Sequence, residues 1–325
     1  MTVTRRDAAS MFGATSSETF LGLPHAPLDS LKDRTPRPTS VIFAAPCATP
    51  YASVGAYCAG APRAIREAMG GYSNNIAHMD FDLGGPMFPT PDLLAVDAGD
   101  LPCKEDTQEE NRRLIREATA TILSTGAVPI LLGGDDSVPI PFLEAYADHG
   151  PITIVQIDAH IDWRDEVQGE RLGLSSTMRR ARAMGHVDRI IQVGQRGLGS
   201  ARPSDWVDAV QAGVAFVTAR ELNDGGPETV LSLVAPGSRV VIAFDCDALD
   251  PAIMPSVIAP SPGGLTYWQA LDIIHGIAGK ARIAGFDLVE LMPDRDIQGI
   301  GALTAGRLIA NVLGLVARAS VVTPS

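Results

Sequence analysis

The chain has 325 residues, of which 46% are hydrophobic and 20% charged, with Gly (32) and Pro (24) plentiful and aromatics scarce at 5%. That supports one large core in a loop-rich α/β domain. A net charge of -12 and a pI near 4.9 exclude general binding to nucleic acid or to anionic membranes, both of which need a basic surface, and are compatible with a cationic substrate.

From the N-terminus, residues 1–37 are rich in Ser, Thr, Pro and Asp without a clear period. They are expected as an arm over the surface or toward a neighbouring subunit, with 38–325 as a single domain. Arg5 and Arg6 precede no apolar segment of a secretory signal, and no apolar run is expected to be long enough to span a bilayer. Cys47, Cys58, Cys103 and Cys246 form no C-x-x-C pair, and a chain of this size needs no disulfide staple. They are expected as reduced thiols in a cytoplasmic protein.

The first strand is predicted over Ser40–Ala44, followed by a helical pattern over Thr107–Ser124 and a strand over Val128–Leu132 that runs into G-G-D-D-S (133–137). The strand Ile152–Ile157 runs into D-A-H-I-D (158–162). Arg189–Val193 and Ala215–Val217 read as strands around a helix at Pro203–Ala212. Val240–Phe244 runs into D-C-D (245–247). Tyr267–Ala278 repeats Leu271, Ile274, Ile277 and Ala278 at helical spacing, and Ile283–Leu288 leads to Glu290. Continuous apolar strands separated by helices indicate a mostly parallel sheet covered on both faces. No internal repeat, linker or low-complexity block interrupts it.

Polar clusters therefore follow four strands, and in open α/β sheets ligands bind beyond the carboxyl ends of the strands. On extended backbone, residues at i, i+2 and i+4 point the same way. Asp158, His160 and Asp162 would then converge, as would Asp245 and Asp247, with Asp136 adding a further carboxylate. So many carboxylates in one cleft repel one another unless cations neutralise them. One imidazole among carboxylates is a hard, oxygen-rich set, which favours Mn²⁺, then Ni²⁺, over Mg²⁺, and lacks the Cys/His spacing of structural zinc. Two divalent cations about 3.5–4 Å apart lower the pKa of a shared water toward neutrality, a nucleophile suited to a carbon bearing three nitrogens.

G-G-D-D-S, D-A-H-I-D, F-D-C-D-A-L-D-P and G-F-D-L-V-E-L-M-P, together with G-A-P-R-A-I-R-E (60–67) and P-G-G-L-T (262–266), resemble the ureohydrolases, the arginase/agmatinase family, over about residues 38–315. The resemblance implies a three-layer α/β/α fold, a trimeric or hexameric assembly, a dimanganese centre (nickel in some guanidine hydrolases) and release of urea from a guanidino compound. Carried over by motif position, Asp158 and Asp245 would bridge the metals. Asp136 and Asp162 would complete one site, and His160 and Asp247 the other. Asp162 would pass a proton to the departing amine, and Glu290 would pair with the guanidinium.

Two departures stand out. The family usually has G-G-D-H-S, where this chain has Asp136, and the added negative charge should weaken the metal as a Lewis acid. Many relatives place a proton-shuttling His near 174–175, where this chain reads Leu174-Ser175-Ser176; water, Ser175 or Ser176 is left for that role. Both changes point to a divergent agmatinase-like branch acting on agmatine, a guanidino acid or a small or N-substituted guanidine. Arg164, directly after the metal motif, would favour a carboxylate tail if it faces the cleft; paired with Asp165 or Glu166 on the surface it would not. His78, Asp80 and Asp82 read as structural. A metal-dependent deacetylase shares the layered fold but calls for a His-His pair, which this chain lacks. A catalytically weak subunit packed beside an active paralogue is the alternative that the missing histidines leave open.

Overall fold

The computed structural model describes residues 18–322. Its strands are β1 (Ser40–Ala45), β2 (Ala95–Asp100), β3 (Val128–Gly133), β4 (Ile152–Ile157), β5 (Val187–Val193), β6 (Ala215–Val217), β7 (Arg239–Asp245) and β8 (Arg282–Val289). Its α-helices are α1 (Ala61–Gly70), α2 (Gln108–Ser124), α3 (Pro139–Glu144), α4 (Thr177–Arg182), α5 (Pro203–Gln211), α6 (Ala219–Gly225), α7 (Glu228–Leu231), α8 (Tyr267–Lys280) and α9 (Ile300–Val322). The strands form one eight-stranded sheet in the order β2-β1-β3-β8-β7-β4-β5-β6, parallel throughout.

Alternation along the strands divides the core. On β1, Ile42 and Ala44 pack on one face with Ile65 and Met69 of α1, Leu271 and Ile274 of α8, and Leu308 and Val312 of α9. Val41 and Phe43 pack on the other face with Ile115 and Ile122 of α2, Phe142 of α3, and Met178 of α4. The expected three layers are therefore present. The predicted helices start where their signals lie: Pro203 opens α5, and Thr266 caps α8 through a reciprocal bond with Gln269.

Two expectations need correction. An eighth strand, β2, pairs with β1 at the sheet edge. Its sequence, A-V-D-A-G-D, lacks the β-branched run that marks the others. Helix α9 is long and apolar enough to cross a bilayer by length and composition, contrary to the reading that no run reaches that length. It is a core helix instead, since 78% of its most apolar window is buried within the fold.

Residues 18–37, the described part of the expected arm, lie against the domain. Phe20 and Leu31 are fully buried, and the Phe20 N–H donates to Asp97 Oδ2 at 2.8 Å. Asp97, buried on β2, also takes a two-pronged grip from Arg66 of α1, at 2.8 and 2.9 Å. The rest of the arm, residues 1–17, lies outside the described residues.

Candidate metal centre

Register brings the polar clusters together. Ile157 of β4 lies opposite Phe244 of β7, and Asp245 of β7 lies opposite Val289 of β8, while Leu132 of β3 lies opposite Leu288. Asp158, Asp245, Glu290 and the turn after β3 thus leave four adjacent strands at one level. The sequence predicted this convergence from extended backbone, and there the physical reason differs. Asp162 has a left-handed φ of 42°. Asp247 sits in a 3₁₀ turn whose N–H donates to Asp245 Oδ1 at 2.7 Å. Tight turns, not pleats, aim these side chains.

After β3, Gly134 is required by close approach: a Cβ there would lie 2.0 Å from the Pro46 carbonyl oxygen. The two aspartates that follow divide their tasks. Asp135 accepts from the N–H and hydroxyl of Ser137 and shapes the turn. Asp136 enters the cavity, its backbone held by a Thr177 hydroxyl bond to its carbonyl and its buried Oδ2 without a partner.

Two groupings of ligand-type atoms lie within 4.8 Å of one another, Asp136 with Asp158 and Asp162, and Asp158 with His160 and Asp247. Asp158 is common to both. Asp245 falls in neither, but lines the same cavity, 5% exposed, with one oxygen engaged by the Asp247 N–H. The charges are in conflict. Burial, then the neighbouring carboxylates, raises Asp136, Asp162 and Asp245 well above the ordinary carboxylate range. Burial and Asp247 raise Asp158. Burial opposes a charge on His160, but hydrogen bonds to Asp158 and Asp247 outweigh it and push the imidazole up to about 11. Such a set, dominated by carboxylates with one imidazole and an orphaned buried oxygen, fits hard divalent cations.

Glu290 completes the floor. Its backbone is left-handed (φ 66°) and its N–H donates to the Gly134 carbonyl at 2.8 Å, tying β8 to the metal-loop turn. Its Oε1 accepts the Asp136 N–H at 2.9 Å, and both oxygens lie 2.7 Å from the Tyr57 hydroxyl. Burial pushes this carboxyl up to about 8. Left-handed backbone at both Asp162 and Glu290 is strain of the kind that accumulates at functional sites.

The cavity, about 250 Å³, is also lined by Ile161, Arg164, Leu174, Ser175 and Asp205. Arg164 does not pair with Asp165 or Glu166. Asp165 is taken by Arg171, Arg179 and Arg180, and Arg164 Nη1 lies 3.3 Å from Asp205 of α5. Ser175 reaches the cavity, whereas Ser176 is fully buried with its hydroxyl unpartnered and does not line it. His78 lies in a separate cleft with Tyr72 and Arg307, and Asp80 accepts from the N–H groups of Asp82 and Leu83 in a turn. Sequence reading missed Tyr57, Asp205 and two buried glutamines, Gln156 and Gln192. The glutamines had a signal, since each is a polar residue inside an apolar strand; Tyr57 had none.

The family model for the arginase family matches residues 39–314. The chain belongs to the arginase family. This arginase-family chain is 36% identical over 231 residues to a protein named mitochondrial agmatinase from Gallus gallus, covering 69% of this chain and 67% of that one. It is 35% identical over 234 residues to a mitochondrial guanidino acid hydrolase from Homo sapiens, covering 69% and 65%. Among solved structures, proclavaminate amidino hydrolase from Streptomyces clavuligerus superposes with a TM-score of 0.80 at 28% identity, covering 94% of this chain and 99% of that one. The arginase-like fold and the ureohydrolase assignment expected from the motifs both stand.

Proposed function

We propose that this arginase-family enzyme hydrolyses a guanidino acid, a guanidine whose alkyl tail ends in a carboxylate, to urea and an amine. The class of reaction, cleavage of a guanidino C–N bond, follows from the family and its named relatives. The observation that carries the finer reading is Arg164: it lines the cavity, and its buried Nη1, though 3.3 Å from Asp205 Oδ2, is not in hydrogen-bond geometry with it. An ion pair outside hydrogen-bond geometry leaves a buried donor unsatisfied, which is costly, and a substrate carboxylate satisfies it in the planar geometry that arginine favours.

Two divalent cations, Mn²⁺ before Ni²⁺ for this oxygen-rich set, would be held by Asp136, Asp158 and Asp162 and by Asp158, His160 and Asp247, with Asp245 beside them. When bound they supply positive charge that reconciles the carboxylates and lowers the pKa of water. Glu290 binds the guanidinium, held in place by Tyr57 and the Asp136 N–H. Ile161 and Leu174 keep the tail dry, and Arg164 ends its reach. Water adds its oxygen to the guanidino carbon, the bond from carbon to the alkyl nitrogen breaks, and both protons of that water end on the leaving nitrogen, the first carried there by the Asp162 carboxylate. Urea leaves neutral and the amine leaves protonated.

Asp205 is the observation favouring a second reading, in which an ammonium tail, as in agmatine, pairs there. Urea release from 4-guanidinobutyrate, agmatine, arginine and free guanidine, each with Mn²⁺ and with Ni²⁺, separates the two. 4-Guanidinobutyrate is expected to lead, and Arg164→Gln to raise its KM by about 10–100-fold, the size of a hydrogen bond to a charged group. A clear preference for agmatine rejects the guanidino acid. Silence across all substrates and both metals supports the weak-subunit reading.

A further inference from the structure

Behind the metal ligands, on the sheet side, lie two side-chain amides on adjacent strands. Gln156 of β4 is 1% exposed and Gln192 of β5 is fully buried, and the two are register partners in the parallel ladder. The Gln156 Nε2 donates to Asp158 Oδ2 at 2.6 Å and to Asp162 Oδ2 at 2.8 Å. Its Oε1 accepts from Gln192 Nε2, which also donates to the Ile161 carbonyl at 2.9 Å.

We infer that Gln192 and Gln156 form a polarity relay that fixes the metal-binding orientation of Asp158 and Asp162, with Gln156 the positioning residue and Gln192 the residue that sets it. This inference rests on the reading of those carboxylates as metal ligands.

The chain of orientation starts at the backbone. An amide can sit either way round, and flipping it exchanges a donor for an acceptor at nearly the same shape. The Ile161 carbonyl can only accept, so it turns the Gln192 amino group inward. That amino group can only donate, so it selects the oxygen of Gln156. The amino group of Gln156 is left facing the two carboxylates, with one N–H for each. Flipped, Gln156 would present an oxygen to two carboxylate oxygens. The fold tolerates a cost to keep this arrangement, because Gln192 Oε1 is buried without a partner.

Chemistry explains why amides hold this place. A lysine or arginine here would also satisfy two carboxylates, but it would cancel their charge and compete with cations. A neutral amide orients without neutralising. Asp158 Oδ1 receives the backbone N–H of His160 at 2.6 Å, so each oxygen of the shared ligand is held by a neutral amide donor. Outer-shell partners of this kind contribute about 10–100-fold in metal affinity.

The decisive variant is Gln192→Glu. It touches no ligand and keeps the shape, but it has no N–H with which to select the Gln156 oxygen. Calorimetric titration of the chelator-stripped full chain with Mn²⁺ is expected to show affinity weakened about 10-fold or more for Gln192→Glu and for the donor-free Gln156→Met. Gln192→Asn is the shape control: it keeps the amide and is expected to lose less than Gln192→Glu. Circular dichroism checks that each chain is folded; should Gln192→Glu not fold, Gln156→Met against Gln156→Asn carries the same comparison. Wild-type affinity in both Gln192→Glu and Gln156→Met overturns the relay. Failure of the unmodified chain to bind Mn²⁺ or Ni²⁺ instead overturns the metal reading beneath it.

Discussion

Glu290 illustrates how much one side chain is asked to do. It must be ionised to hold a guanidinium, yet burial outweighs the lowering by the Tyr57 hydroxyl and the Asp136 N–H and leaves its carboxyl at about 8. The kcat/KM profile reports such groups in the free enzyme, so its acid limb should follow this carboxyl. Removing the hydroxyl in Tyr57→Phe leaves the carboxylate less stabilised, which raises the pKa. The limb should move to higher pH by about one unit, the equivalent of a hydrogen bond to charge of about 1.5 kcal/mol. A pH–rate series on the two chains checks this, and superimposable limbs reject the coupling. Asp136 acts at the same scale: in the proposed centre it would add charge where the resemblance leads one to expect a neutral imidazole, so cations held there would be weaker Lewis acids.

At the scale of elements, the site depends on four strand ends arriving at one level and on turns tight enough to aim their carboxylates. The strands were legible because Val128–Leu132, Ile152–Ile157, Val240–Phe244 and Ile283–Leu288 are apolar runs each followed by an abrupt polar cluster, so both the sheet and its functional rim could be read. The turns were less so. Asp162 and Asp247 reach the centre through a left-handed residue and a 3₁₀ turn, which periodicity cannot reveal. Strand β2 escaped because Asp97 and Gly99 interrupt it, and Asp97 is spent on Arg66 and the Phe20 N–H. Helix α9 is buried on most of its surface, so it has no polar face to give a period. Tyr57 comes from a loop about twelve residues along the chain from the end of β1, and only the folded chain brings it to Glu290. The close approach at Gly134 makes a test of the turn. Gly134→Ala forces a Cβ against the Pro46 carbonyl and should cost about 2–4 kcal/mol, read as a fall in Tm. An unchanged Tm would mean the turn can shift to admit the methyl group.

The whole molecule carries several buried acids in excess of its cations. Asp287, fully buried on β8 with neither oxygen partnered, is raised well above the ordinary range by burial. A carboxyl that stays protonated in the fold but ionises in the unfolded chain stabilises fully below its ordinary pKa. That contribution is lost as pH rises toward the folded value, at up to about 1.4 kcal/mol per pH unit. Asp287→Asn removes this dependence, so its stability relative to the native chain should grow from pH 5 to pH 7 in denaturant titrations; a constant difference would show that Asp287 is ionised in the fold. The acids at the centre differ from Asp287 in that cations can relieve them. Anomalous diffraction from crystals grown with Mn²⁺ shows whether they converge on cations. Two peaks are expected, one within coordination distance of Asp136, Asp158 and Asp162 and the other of Asp158, His160 and Asp247. No peak among these side chains at saturating Mn²⁺, or a single one that excludes Asp158, would contradict that convergence.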